Sequence, residues 1–235
     1  MGWALLGASS LLIGAGLAFV APVTKHVLGF VLAFGAGVLI SAVAYELVEE
    51  AAGFGAPPLV VAGSFVVGAL VFLAGDLFID KRLKGSGAEP GGLGIVLGAV
   101  LDGIPESIVI GASLINEDSA SVAVVVAVFL SNIPEAIAAS SDLLRDPRWS
   151  KARIFLLWSI VVAASTLAAG LGYAALKNAS PAWISAIQAF SAGAILTMLA
   201  DEMIPEAYEY TDHDKTVGVA LAFGFAVSAG LSFRT

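Results

Sequence analysis

The stretch Phe34-Gly-Ala-Gly-Val-Leu-Ile-Ser-Ala-Val-Ala-Tyr-Glu46-Leu-Val-Glu-Glu50-Ala51 indicates most about the fold, because a related stretch returns later in the chain. The second stretch is Phe190-Ser-Ala-Gly-Ala-Ile-Leu-Thr-Met-Leu-Ala-Asp-Glu202-Met-Ile-Pro-Glu206-Ala207. At a shift of 156 positions, seven residues coincide: Phe, Ala, Gly, Ala, Glu, Glu and Ala. Both stretches are long, apolar and rich in small residues, which is typical of membrane-spanning helices.

The composition of the whole chain also indicates a membrane protein. Of its 235 residues 59% are hydrophobic and 13% are charged, with a mean hydropathy of +0.95. A soluble domain carries about 25% charged residues, so this chain cannot cover a water-facing surface. The chain has no Cys, which excludes disulfide scaffolds and thiolate metal sites. Its net charge of −8 argues against nucleic-acid partners.

The apolar runs predict an all-α fold with eight transmembrane helices, since a crossing needs about 20 mainly apolar residues. The predicted helices lie at 3–22, 27–50, 58–78, 92–115, 120–141, 153–175, 182–207 and 216–232. The connections are too short for a soluble domain, so residues 1–235 are interpreted as one transmembrane domain. We therefore expect a multi-pass protein of the cell membrane, with the lipid bilayer as its surroundings.

The loop charges predict the orientation of these helices. The odd-numbered loops hold nine Lys and Arg residues, whereas the even-numbered loops and the C-terminus hold only Lys177 and Arg234. Because cytoplasmic loops carry the excess of basic residues, the odd loops are predicted to be cytoplasmic and both termini to lie outside.

The repeat noted at the start predicts an inverted architecture. Trp3 in helix one is matched by Trp158 in helix six at a similar shift, so the repeats cover about 1–83 and 153–235. A displacement of five helices places the copies upside down to each other, around a central helix pair at about 92–144. Inverted repeats with a midplane site are typical of transporters. The alternative is that Ala- and Gly-rich helices resemble one another by chance.

Two matched hexads lie on the central pair. Helix four contains Asp102-Gly-Ile-Pro-Glu106-Ser107, and helix five contains Ser131-Asn132-Ile-Pro-Glu135-Ala136, 29 residues later. The first and fifth residues of each hexad share a helical face. Each Pro also frees a backbone carbonyl, which in lipid needs another partner.

The three acids Asp102, Glu106 and Glu135 lie in central segments that contain no Lys or Arg. A charge at the bilayer centre costs about 2.5–3.5 kcal/mol on the insertion scale, so the cluster calls for a bound cation or for protons. A divalent cation is the simpler answer. The alternative is a pair of kinked helices whose carboxylates are protonated and hydrogen-bonded.

Further acids lie nearer the helix ends and suggest a pathway. Glu46 and Glu50 lie at the predicted outer end of helix two, and Asp76 lies at the inner end of helix three. At the cytoplasmic end of helix seven a third Ile-Pro-Glu motif follows two acids, giving the set Asp201, Glu202 and Glu206. Together these acids suggest an entrance and an exit for a cation. The alternative is ordinary solvated helix termini.

The hexads, the eight helices and the outside termini resemble the ZIP (Zrt/Irt-like) family of divalent-metal transporters, of the bacterial or archaeal type. The resemblance spans nearly the whole chain and implies a 3+2+3 helix plan, a homodimer, and transport of zinc or another divalent metal. It also implies a binuclear central site. Carried onto this chain, its ligand positions fall on Asp102, Glu106, Ser131, Asn132 and Glu135.

The chain departs from the family pattern at several ligand positions. Gly103 stands where helix four usually has an Asn ligand, Ala169 falls near the usual helix-six Glu, and Asp201 replaces a common His next to Glu202. With Gly103, Asn132 and Ala169 at its ligand positions, the second metal position loses much of its charge, so we expect one occupied central site. The family resemblance places Zn²⁺ first among the expected substrates. The all-oxygen ligands suit hard cations such as Mn²⁺ and argue for a broader range, in which Fe²⁺, Mn²⁺ and Cd²⁺ follow.

The resemblance implies a rocking or elevator-like movement of the helix four/five bundle. Three carboxylates that face one dication leave one excess negative charge, so we expect protonation of Glu106 or Glu135 to assist inward release. Two other functions remain open. One is a proton- or cation-coupled transporter of another small solute, and the other is a family member that binds metal without transporting it. An intramembrane metalloenzyme would need a motif such as His-Glu-x-x-His, whereas the two His residues lie in predicted loops.

Overall fold

The structure, a computed structural model, describes residues 2–20, 23–85, 105–111 and 122–232, together with 98, 101 and 103. These residues form helices and short connections, with no strand among them. The helices are α1 (Gly2–Val20), α2 (Lys25–Gly53), α3 (Pro58–Gly85), α4 (105–111), α5 (Val122–Arg145), α6 (Lys151–Leu176), α7 (Pro181–Tyr210) and α8 (Val217–Ser232). The prediction of an all-α fold is confirmed.

Six of the described helices are long and apolar enough to cross a membrane: α1, α2, α3, α5, α6 and α7. The helix α8 is apolar but has only 16 residues. Most of the predicted fourth helix, at 92–115, lies outside the described residues. The chain is therefore a multi-pass membrane protein by its helices, while the count of eight crossings and their orientation stay predictions.

Local sequence signals explain where the helices begin. Thr24 and Ser150 precede α2 and α6, and their hydroxyl oxygens accept hydrogen bonds from Val27 N and Arg153 N, each at 3.3 Å. Such side-chain caps satisfy amide groups that have no partner within the helix. Gly55 adopts a φ of 75°, which allows the tight connection from α2 to α3.

The main helix contacts fall into three sets. Helix α1 packs along α5 and α6, where the fully buried Trp158 donates a hydrogen bond from its Nε1 to Ser140 Oγ at 2.9 Å. Helix α2 packs along α8 and α5, and α3 packs along α7. Gly14 of α1 lies against the backbone of Ile133 in α5, so these two helices approach closely. The proline-containing part of α5 thus lies between α1 and α2.

Four glycines let the α2–α8 and α3–α7 pairs approach to backbone contact. A Cβ at Gly37 would overlap the carbonyl oxygen of Leu221, and one at Gly224 would overlap that of Phe34. In the other pair, Gly193 lies against Phe65 and Gly68 lies against Phe190 in the same way. Small residues at these points are what tight packing of apolar helices in a membrane requires.

The contacts of the two helix pairs are related by the sequence shift of 156 positions. The shift carries Gly37 onto Gly193 and Gly68 onto Gly224, and it carries each contacted backbone position onto its counterpart. Both long helices also widen into a π-helical segment at matching positions, Val43–Val48 in α2 and Leu199–Met203 in α7. Segments of π-helix are rare and often mark functional sites. Their occurrence at matching positions is therefore a similarity between α2 and α7 that a shared Ala- and Gly-rich composition does not explain.

Candidate metal site

A small cavity of about 20 Å³ lies between α1, α4, α5 and α6. Helix α1 supplies an apolar wall, whereas the polar lining comes from Glu106, Ser107, Asn132, Glu135 and Ser165. A volume of about 10–15 Å³ suffices for one water molecule, so the cavity has room for one ion or one water. Among its described lining residues are two acids and no base.

The two acids, Glu106 and Glu135, come from the two hexads. Glu106 is buried, with 5% of its surface exposed, and it lies close enough to Glu135 for direct electrostatic repulsion. Each acid follows a proline, and Pro134 lies inside α5, where it removes the backbone hydrogen bond to the Leu130 carbonyl. The structure thus brings together the two acids that the matched hexads single out.

The two candidate ligands that precede Pro134 face different surroundings. Asn132 is buried and lines the cavity beside Glu135. Ser131 is also buried, but its Oγ donates a hydrogen bond to the Val128 carbonyl at 3.1 Å, and its Cα lies beside Gly35 of α2. Asn132 therefore contributes to the lining of the cavity, while the hydroxyl of Ser131 is engaged with its own helix.

The third predicted acid, Asp102, lies outside the described residues. Among the residues that the structure does describe, no group of three His, Cys, Asp or Glu side chains lies close enough together to hold a metal ion. The predicted ligands that the structure describes at the cavity are therefore two carboxylates and one amide.

Two serines that the sequence did not single out as ligands also line the cavity. Ser107 Oγ donates a hydrogen bond to the Gly103 carbonyl at 2.6 Å, and Ser165 reaches the cavity from α6. A Cβ built at Gly103 would lie 3.1 Å from Ser165 Oγ, so the glycine leaves room for this approach. Ser107 could have been found as the last residue of its hexad, whereas Ser165 gives no local signal.

The acids of α7 extend the polar region away from the cavity. Glu135 is near enough to Glu202 and Glu206 to be repelled by both. Glu206 in turn accepts a hydrogen bond from the Tyr210 hydroxyl. Glu202 and Glu206 are half-buried, and Asp201 is exposed. A chain of carboxylates therefore runs from Glu106 through Glu135 to the C-terminal part of α7.

The remaining predicted pathway acids lie away from this cavity. Glu46 is half-buried within the π-helical segment of α2, and Asp76 is half-buried in α3. Glu50 is half-buried near the end of α2 and accepts a hydrogen bond from Gln188 Nε2 at 2.9 Å. None of the three is among the lining residues of the cavity between α1, α4, α5 and α6.

The fold and the site together indicate a class of protein. A bundle of long apolar helices that encloses a small acidic cavity is what a membrane transporter of cations requires, because buried acids in a membrane mark ion pathways.

The comparison with known families makes the class specific. Residues 79–232, more than half of the chain, match the ZIP zinc transporter family, and the protein belongs to this family. None of the curated proteins matches the chain. Its family is one of metal-cation transporters, in agreement with the resemblance seen in the hexads.

Proposed function

We propose that this protein moves a divalent transition-metal cation into the cytoplasm through the cavity between α1, α4, α5 and α6. The observation that carries the proposal is the pair of carboxylates, Glu106 and Glu135, in one cavity with no Lys or Arg among its described lining residues. The match to the ZIP zinc transporters supports zinc as the first candidate, with iron, manganese and cadmium next.

Charge balance favours a dication as the occupant of the cavity. Burying two like charges without a partner is costly, and their mutual repulsion adds to the cost. A cation with two positive charges between Glu106 and Glu135 would neutralise both, and Asn132 would add a neutral oxygen. Asp102, four residues before Glu106, is the expected third carboxylate.

The size of the cavity supports one central metal ion. About 20 Å³ is close to what a single water molecule needs, and a bare dication is no larger than a water. In the family, the second metal ion takes ligands from helix four and helix six. The corresponding residues of this chain are Gly103 and Ala169, whose side chains cannot bind a metal. We therefore propose a mononuclear central site.

The acids of α7 supply a route for release toward the cytoplasm. Because Glu135 lies close to Glu202 and Glu206, a cation that leaves the cavity on this side passes from one carboxylate environment to the next. Protonation of Glu106 or Glu135 would remove one negative charge from the site and so weaken its hold on the metal. Glu202 and Glu206 then act as exit positions, with Asp201 at the exposed edge.

The architecture proposed for this movement is the inverted repeat of residues 1–83 and 153–235 around the central pair at 92–144. The matched glycine contacts and the matched π-segments, all at the same shift of 156 positions, support it. In this arrangement α2, α3, α7 and α8 form a tightly packed frame, and the helix four/five bundle moves against it.

The surroundings of the protein follow from the same arrangement. The outer face of α3 is almost wholly apolar, and only 11% of the residues in its most apolar stretch are buried within the chain. We propose that lipid or a second copy of the protein covers this face. We expect the protein in the plasma or inner membrane, as a homodimer.

The experiment that tests this function is metal uptake by proteoliposomes. With Glu106→Gln and Glu135→Gln combined, uptake of Zn²⁺ should fall to the level of protein-free vesicles, because the cavity then carries no charge from these two groups. The control is Glu209→Gln, which removes an exposed carboxylate from α7 and should keep the parental rate. Parental uptake by the double variant would contradict the proposal.

The same measurement separates the two other functions that the sequence left open. A parent protein that binds the dication but does not move it would be a metal-binding family member. A parent that binds no stoichiometric dication would instead be a proton- or cation-coupled transporter of another solute.

A further inference from the structure

The side chain of Gln188 in α7 is buried, and its amide oxygen has no hydrogen-bond partner among the described residues. Only 1% of this residue is exposed, and its Nε2 donates a hydrogen bond to Glu50 Oε2 at 2.9 Å. Its Oε1, on the same amide group, has no hydrogen-bond partner among the described residues. A buried carbonyl oxygen without a donor is unfavourable, so this oxygen is available to bind a cation.

A second unmet oxygen lies one turn further along α7. Ser185, Gln188 and Ser191 follow one another at a spacing of three residues, which places them on one helical face. The first of these donates its Oγ hydrogen bond to the Ala51 carbonyl at 2.6 Å, which holds this face against the end of α2. The Oγ of Ser191 is fully buried and has no partner among the described residues.

We propose that Glu50 and Gln188, with Ser191 one turn away, form a second divalent-cation site between the end of α2 and the first half of α7. The proposal rests on the proposed function, to which it adds an outer binding position for the transported cation. Rotation of the Gln188 amide would exchange Nε2 for Oε1, so that carbonyl and carboxylate oxygens face the same point.

The chemistry of the donors selects the class of ligand. A carboxylate, an amide oxygen and a hydroxyl are hard oxygen ligands, which suit Mn²⁺, Ca²⁺ or Mg²⁺ and accept Zn²⁺. Glu50 is half-buried, so its carboxylate reaches from the protein surface to the buried amide. By the predicted orientation this is the outer end of α2, where a cation arrives.

The counterpart of this site in the other half of the chain lacks the amide. The shift of 156 positions carries Glu50 onto Glu206 but relates Gln188 to Leu32. Glu206 has the Tyr210 hydroxyl as its partner instead. A hydroxyl donor stabilises a carboxylate without adding a second strong cation ligand, so the site belongs to the α2 end only.

Binding of Mn²⁺ to the purified protein, followed by electron paramagnetic resonance, tests the site. The parent should bind two Mn²⁺ per chain, and the variant Glu106→Gln with Glu135→Gln should keep one. Adding Gln188→Leu should weaken that remaining site by about tenfold or more, in line with the loss seen when a supporting metal contact is removed. In the otherwise unchanged protein, Gln188→Leu should reduce two bound ions to one.

The variant Gln188→Glu separates a ligand from a structural hydrogen-bond donor. It removes Nε2 and adds a second carboxylate, so a ligand role predicts Mn²⁺ binding at least as tight as in the parent. A donor role predicts repulsion from Glu50, with lower thermal stability and no gain in binding. Ser185→Ala serves as the control, because it loosens the same helix contact and leaves the proposed ligands in place.

Two results would overturn the proposal: one Mn²⁺ per chain in the parent, or unchanged stoichiometry and affinity after Gln188→Leu. The measurement distinguishes a failure of the second site from a failure of the proposed function. A parent that binds two ions without transport contradicts the function and leaves the site standing, whereas transport with a single bound ion does the reverse.

Discussion

The C-terminal parts of α2 and α7 carry the same pattern and have different surroundings. Both contain a π-helical segment, and the acids Glu46 and Glu50 of α2 correspond to Glu202 and Glu206 of α7. The acids of α7 lie close to Glu135 in the central cavity. In α2 the last acid is instead bonded to Gln188.

This difference concerns the acids that lie close to the central cavity. The acids Glu202 and Glu206 of α7 lie within electrostatic reach of Glu135. The central cavity, which Glu135 lines, therefore lies beside the acids of α7. The movement proposed for the helix four/five bundle would produce a second conformation. In that conformation we expect the central acids to lie nearer to Glu46 and Glu50.

The largest predicted effect breaks the frame that the two halves share. Gly37→Leu and Gly193→Leu should each lower the yield of folded protein severely, because a side chain at either position overlaps a backbone carbonyl of the partner helix. Overpacking of this kind costs about 3 kcal/mol or more. Folded yield and melting temperature in detergent measure the effect.

The control for these variants is Gly63→Leu in α3, where a Cβ meets no atom within 4 Å. If the two frame glycines tolerate Leu as well as Gly63 does, the close approach of the helix pairs is wrong. If only one of them does, the two halves are not equivalent.

A smaller effect distinguishes the acids of the two halves. Glu202→Gln should weaken metal binding at the central site several-fold, because it removes a negative charge near Glu135. Glu46→Gln removes the corresponding charge from α2 and should leave the affinity of the central site unchanged. Titration of Zn²⁺ into each purified variant measures this. Equal effects of the two substitutions would contradict the asymmetry.

The smallest effect is expected at the connection between α5 and α6. The hydrogen bonds from Arg148 hold the pKa of Asp146 below its usual value. A lowered carboxyl pKa contributes stability above the unfolded pKa, and this contribution is lost as the pH falls through the folded pKa. Because both groups are exposed to solvent, Asp146→Asn should leave the melting temperature almost unchanged at neutral pH, as exposed ion pairs contribute little.

The sequence predicts the parts of this account that depend on local pattern. The apolar runs locate the long helices, and the matched hexads identify Glu106 and Glu135 as partners. The caps Thr24 and Ser150, which the structure shows at the starts of α2 and α6, are also local features. These features depend on neighbours in the chain, so one sequence contains them.

Features that depend on how helices face one another are not visible in the pattern. Ser131 and Asn132 are adjacent candidates, and only packing decides which one lines the cavity. Ser165 reaches the cavity because Gly103 leaves space for α6. The unmet oxygen of Gln188 becomes visible only once its burial is known. Asp102 lies outside the described residues, and its role stays a prediction.

The most direct test of the central claim is anomalous diffraction from crystals of the protein soaked in Zn²⁺, measured at the zinc absorption edge. We predict a strong peak between the carboxylates of Glu106 and Glu135, and its loss in the variant Glu106→Gln with Glu135→Gln. A parent protein that transports zinc but shows no peak in this cavity would contradict the account.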